Sequence, residues 1–184
     1  MAQISKSIDK MLALEFSSPD TALHKNKTEN DLTYMGIYRT AHPSWEGWNK
    51  IDMYLDQYDN PKAAGHVAYY DEELRELVMR FYKKQFWDKM RLDEIVSQRI
   101  ADEIFIFGVN AGTKRAIELA QLVVGIDHDG LIGPKTLAAL NSYDENKFDI
   151  EFDKAENEYY EELASVRPAL HIYLKGWRNR ANAV

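Results

Sequence analysis

The chain has 184 residues, and its 30 Asp and Glu outnumber 23 Lys and Arg to give a formal net charge of −7, which argues against a protein built to grip nucleic-acid phosphates. Hydrophobic residues make up 45% and aromatic ones 12%, enough to bury a sizeable core, while the absence of cysteine excludes disulfides, thiolate metal sites and a Cys nucleophile. No segment approaches the roughly 18 uninterrupted apolar residues of a membrane span, and the N-terminus lacks the apolar core of a secretory signal.

The first segment, ISKSIDKMLALEF, places Ile4, Ile8, Met11, Leu12 and Leu14 at helical spacings, predicting an amphipathic helix that ends near Glu15, where Ser17-Ser18-Pro19-Asp20 supplies turn chemistry. From Leu23 to Thr40 the polar cluster Thr28-Glu29-Asn30-Asp31 separates runs that favour extended structure, predicting a small β-hairpin. Between Ala41 and Gly65 aromatic anchors alternate with Pro43, Gly47 and Pro61, which predicts a short helix framed by loops.

Beyond Gly65 helices dominate. Leu74, Leu77, Val78, Phe81, Tyr82, Phe86 and Trp87 line one side of a predicted helix over 71–90, followed by helices over 91–112, closed by Gly108 or Gly112, and 113–125, closed by Gly125. Asp127-His128-Asp129-Gly130 lacks the ligand run and closing Glu of a calcium-binding EF-hand, so it reads as a tight turn before a helix opened by Pro134. A last helix is expected from about Phe148 toward Trp177, kinked or broken at Pro168. The basic runs around Lys83 to Arg91 and Lys175 to Arg180 read as solvated helix faces.

Two stretches carry a family resemblance. The run from Ala101 to Arg180, with FGVNAG, DGLIGPKTL and the terminal GW-x-NR, resembles the predicted peptidoglycan domain that follows the catalytic segment in glycoside hydrolase family 108. Leu14-Glu15 resembles the end of that family's first helix, where a catalytic Glu precedes two glycines, and Gly36-Ile37 resembles the Gly-Ile of its hairpin. Phe16 and Ser17 replace the two glycines, Tyr38 stands where the family has Thr, and HKNKTEND replaces an Asp-Pro-Gly-rich loop, so the chain reads as a divergent branch.

The resemblance implies a mainly α, lysozyme-like helical fold with a small β-hairpin after the first helix. It implies residues 1–100 as a lysozyme-like catalytic region and 101–184 as a helical peptidoglycan-domain-like region packed with it. The implied activity is that of a phage or prophage endolysin, a muramidase cleaving the β-1,4 bond between N-acetylmuramic acid and N-acetylglucosamine during bacteriolysis. The competing readings are a lytic transglycosylase and a non-catalytic wall-binding or tail-associated protein. The partner is bacterial peptidoglycan, with no nucleic acid, no membrane insertion and no cofactor or metal. A chain without a signal is expected to be made in the cytoplasm as a monomer and to reach the wall through a holin or another release system.

Glycosidic cleavage needs a carboxylic acid still protonated near neutral pH and a second group that steadies the oxocarbenium-like state or activates water. Glu15, between Leu12-Ala13-Leu14 and Phe16, is the candidate acid, because an apolar setting disfavours its ionised form. Asp20, His24, Glu29, Asp31 and Thr33 follow within reach, and Asp31 or Glu29 is the preferred second carboxyl. His24, Thr33, Tyr34, Tyr38, Trp45, Trp48 and Asn110 are the candidate sugar contacts, since flat apolar rings with polar edges suit sugar faces.

Overall fold

The computed structural model describes residues 1–15, 18–26 and 30–181, the side chain of Glu15 excepted. Among these residues the chain is mainly helical, with a small antiparallel sheet early on. In order come α1 (Ile4–Glu15), β1 (Leu23–His24), β2 (Thr33–Tyr34), β3 (Ile37–Tyr38), α2 (Gly47–Gln57), α3 (Pro61–Tyr69), α4 (Glu72–Tyr82), α5 (Gln98–Ala111), α6 (Thr113–Val123), α7 (Pro134–Ser142), α8 (Glu145–Val166) and α9 (His171–Ala181). The expected hairpin is a three-strand meander in the order β1-β2-β3, registered by His24 opposite Thr33 and Tyr34 opposite Ile37. Internal contacts group residues 11–83 into one unit and residues 1–10 with 84–184 into another.

In the unit of residues 11–83, the β2–β3 connection is two residues long, and both residues have positive φ, Met35 at 45° and Gly36 at 80°. That pair of signs suits the tightest hairpin turns because it follows the twist of the strands. Met35 adopts it while buried: its N–H donates to Ala22 carbonyl at 2.8 Å and its carbonyl accepts the Tyr82 hydroxyl at 2.8 Å. Gly65 lets α3 lie directly on β1, for a Cβ there would sit 2.6 Å from Leu23 Cβ and 3.0 Å from its backbone nitrogen. The predicted single helix between Ala41 and Gly65 is two helices. Asn60 caps the second through the Ala63 N–H at 2.9 Å, and Pro61 opens it.

α4 starts at an Asp71 cap, and after Tyr82 the backbone widens into a π-helical turn over Lys83–Trp87 rather than continuing as one α-helix to Met90. Arg91, in the left-handed conformation, then ends the helical run.

In the other unit α5 is the central element. Every residue from Ile100 to Gly108 is buried, two acids included. Asp102 is matched by the Ser7 hydroxyl at 2.5 Å, Gln98 Nε2 at 2.7 Å and Lys10 Nζ at 3.2 Å, so the start of α1 is held on the start of α5. Gly112, with φ at 93°, closes α5; Gly108 stays inside it, where a Cβ would meet the Met90 sulfur at 2.8 Å. Phe107 packs edge-on against Phe152, Tyr159 and Tyr160 of α8. The last helix begins at Glu145 under an Asp144 cap and breaks at Pro168, after which α9 folds back so that Trp177 stacks on Tyr160 at 4.9 Å.

The Asp127–Gly130 turn is built by one side chain. Gln121, 1% exposed, shares the two hydrogens of its Nε2 among Asp129 Oδ1, the Leu131 carbonyl and Thr136 Oγ1 at 2.8, 3.0 and 3.1 Å, and its Oε1 accepts the Gly130 N–H at 2.9 Å. Asp129 Oδ1 also accepts the Leu131 N–H.

Candidate active site

Glu15 is the last residue of α1; its side chain lies outside the described residues, as does Glu29 entirely. From Ser18 the chain makes a short turn through Pro19–Thr21 and enters the sheet. His24 is half-buried on β1 and its Nδ1 lies 2.9 Å from the Thr21 carbonyl, so the ring closes the turn that joins α1 to the sheet. Asp31 is half-buried just before β2, with Oδ1 accepting the Leu32 N–H at 2.8 Å. Its charge reaches Arg39, whose guanidinium is held further toward the charged form first by Asp52, at 2.6 and 2.7 Å, and then by Asp31.

Three of the expected sugar contacts are buried: Thr33 is 5% exposed, Tyr34 1% and Trp48 3%. The Tyr34 hydroxyl donates to Ala68 carbonyl at 3.0 Å, and the low-polarity surroundings push its ionisation well above the usual phenol range. Trp48 donates its indole N–H to His42 carbonyl at 2.8 Å while Arg39 caps its ring at 5.2 Å. Trp45 remains half-buried, stacked near Tyr34 and edge-on to Trp48 at 5.2 Å. Gly47 is required beneath it, since a Cβ there would sit 2.3 Å from the indole ring. Tyr38 is half-buried, its hydroxyl accepting the Asn30 N–H at 3.2 Å. Asn110 belongs to the other unit, where it donates to Ile106 carbonyl and accepts from Arg180 at 2.6 Å, so its side chain is already committed within that unit.

A group that sequence reading did not assemble lies on α3. Asp20 accepts Lys62 Nζ at 3.1 Å and lies 2.6 Å from His66 Nδ1, and these partners, His66 first, hold its carboxyl below the usual range. Asp20, Tyr58, Asn60, Lys62 and His66 border a cavity of about 370 Å³. The signal available in sequence was only the i, i+4 spacing of Lys62 and His66, which does not point to a residue 42 to 46 positions earlier. The arrangement offers an ionised carboxylate beside two cation-capable groups at the mouth of a cavity. In the other unit a cavity of about 270 Å³ is bordered by Arg115, Leu119 and Leu122 of α6 and Glu158, Tyr159 and Glu162 of α8.

Residues 24–112 match the family model described as glycosyl hydrolase 108, and residues 114–182 match the one described as a predicted peptidoglycan domain. The first match begins at His24 and so does not include Glu15. The solved structure of Brucella abortus SagA is similar over 98% of this chain and 94% of that chain, with a TM-score of 0.60 at 21% sequence identity, a likeness of fold. No curated protein matches the chain. Among the described residues no helix is long and apolar enough to cross a membrane. The chain thus carries a segment similar to glycosyl hydrolase 108 followed by one similar to a predicted peptidoglycan domain, and the pair makes it a peptidoglycan hydrolase.

Proposed function

We propose that this enzyme cleaves the β-1,4 bond between N-acetylmuramic acid and N-acetylglucosamine, with Glu15 giving its proton to the leaving glycosidic oxygen. The observation that carries the reading is the position of Glu15 as the final residue of α1, with the small sheet of the glycosyl hydrolase region following it. Helix C-termini carry partial negative charge and disfavour an anion, which suits a residue that must stay protonated until it acts. Asp31, on the loop entering β2, is the water-activating partner, and Tyr38 and Trp45 offer half-buried rings to the sugars. The N-terminal part of the chain carries the chemistry and the C-terminal part holds the wall, an order supported by the glycosyl hydrolase match over residues 24–112 preceding the peptidoglycan-domain match over residues 114–182.

The test is digestion of purified sacculi by the wild type and by Glu15→Gln, followed by mass spectrometry of the soluble fragments. Loss of a positioned general acid costs about 100-fold or more in rate, and reducing-end muropeptides are the expected wild-type product. A variant that digests at the wild-type rate removes Glu15 from the mechanism. Fragments ending in 1,6-anhydro sugars would make the reaction a transglycosylation, in which no water is activated.

A further inference from the structure

In the unit formed by residues 1–10 and 84–184, α8 directs three acids toward one stripe, Asp149, Asp153 and Glu156, at the i, i+4, i+7 positions that share a helix face. From α5, a different helix, comes a second and separate observation. Glu103 is 1% exposed, and neither of its carboxylate oxygens has a hydrogen-bond donor among the described residues. Asp153 Oδ1 is buried in the same condition, and Glu156 is 4% exposed. One oxygen from each of Glu103, Asp153 and Glu156 lies within 4.8 Å of the others, so the three carboxyls converge on one point.

Buried carboxylates without donors are costly, and two outcomes relieve them: protonation or a shared cation. Protonation relieves each carboxyl singly, whereas a shared cation satisfies the converging oxygens of all three together. Without a cation, burial and then its neighbours Asp153, Glu156 and Asp149 push Glu103 up to about 10, burial and Asp153 push Glu156 up to about 8 against Arg180, and burial and Asp149 push Asp153 to about 6.

We propose that Glu103, Asp153 and Glu156 bind a calcium ion that clamps α5 to α8. The donors are all carboxylate oxygens, which selects a hard cation over zinc or copper. The three oxygens lie within 4.8 Å of one another, a spread that an ion with Ca–O distances of about 2.3–2.6 Å can bridge, and calcium accepts an all-oxygen site of irregular geometry where magnesium demands a near-ideal octahedron. The role is structural, since the ion stands in for the missing donors and offsets two of the three negative charges where α5 meets α8.

The experiment is thermal unfolding and isothermal titration calorimetry of the full chain, stripped with chelator and titrated with calcium chloride. Saturating binding is expected, with the melting temperature rising by about 5–10 °C when calcium is a hundredfold above its dissociation constant. Glu103→Gln keeps shape and volume, and is expected to fold as judged by circular dichroism while losing the calcium response. Asp153→Asn, less deeply buried, is the second variant, and its calcium affinity should fall about tenfold or more. Folded wild-type protein that gives neither heat nor a melting shift with calcium up to about 10 mM overturns the site. So does an undiminished response in Glu103→Gln, and a shift of equal size with magnesium overturns the assignment to calcium.

Discussion

Replacing Asp71 tests how the unit of residues 11–83 is held together, because this one carboxylate joins two of its helices. Its Oδ1 accepts the Leu74 N–H at 3.0 Å as the cap of α4, and its Oδ2 accepts the Tyr54 hydroxyl at 2.7 Å and lies 2.8 Å from Lys50 Nζ. Lys50 and Tyr54 sit one turn apart on α2, so the carboxylate fastens α2 to the start of α4. Its side chain is only 11% exposed. Burial alone would raise its pKa, but Lys50, the Leu74 N–H and Tyr54 together outweigh burial and hold it at about 2, against 3.8 for a free aspartate.

At about 1.4 kcal/mol per pH unit that difference corresponds to about 2 kcal/mol of stability, and loss of an Asp cap alone is worth about 1 kcal/mol. The two overlap, because the cap bond is one of the interactions that lower the pKa. Asp71→Ala is therefore expected to cost about 2–3 kcal/mol, and Asp71→Asn, which retains a capping oxygen but no charge, about 1–2 kcal/mol. The group is depressed in the folded state, so its contribution is complete above the unfolded value of 3.8 and fades as pH falls toward 2. Urea unfolding of wild type and Asp71→Asn across pH should give a constant gap near neutrality that closes between about pH 4 and pH 2. A gap indifferent to pH in that window, or a loss below about 0.5 kcal/mol for Asp71→Ala, would refute the account of the carboxylate as a charged clasp.

Gly65→Ala drives a methyl into Leu23 and should lower stability by about 1–3 kcal/mol, read as a drop in urea midpoint; a neutral result would mean that α3 and β1 separate freely. Gln121→Ala strips the Asp127–Gly130 turn of four hydrogen bonds, one of them to the buried Gly130 N–H, and is expected to cost about 2–4 kcal/mol and to open the turn to limited proteolysis. An unchanged digestion pattern would show that the turn holds its shape without the glutamine.

Periodicity was sufficient to find most helices, because one-sided burial leaves a 3.6-residue imprint in Leu74, Leu77 and Val78 just as in Ile4, Ile8 and Met11. It was insufficient where burial is two-sided or local. Thr33, Tyr34 and Trp48 look in sequence like polar-edged residues beside a cleft, yet all three are buried and the Tyr34 hydroxyl and Trp48 indole find partners inside the unit, and nothing in their spacing distinguishes a ring facing solvent from one facing core. The π turn after Tyr82 and the split of the segment after Ala41 are likewise settled by what packs there, not by propensity.

Chain order, the helical pattern, the breaks at Pro61, Pro134 and Pro168, and the motifs that carry the family resemblance are properties of neighbouring residues, so the sequence by itself determined them. Which acids are ionised, which aromatics are out of reach of a ligand, and the convergence of Glu103 with Asp153 and Glu156 across 50 residues were decided by tertiary structure alone. The physical reason is that burial and charge proximity are distances in space, and a helix such as α5, covered on every side, erases the periodic signal from which exposure would otherwise be read.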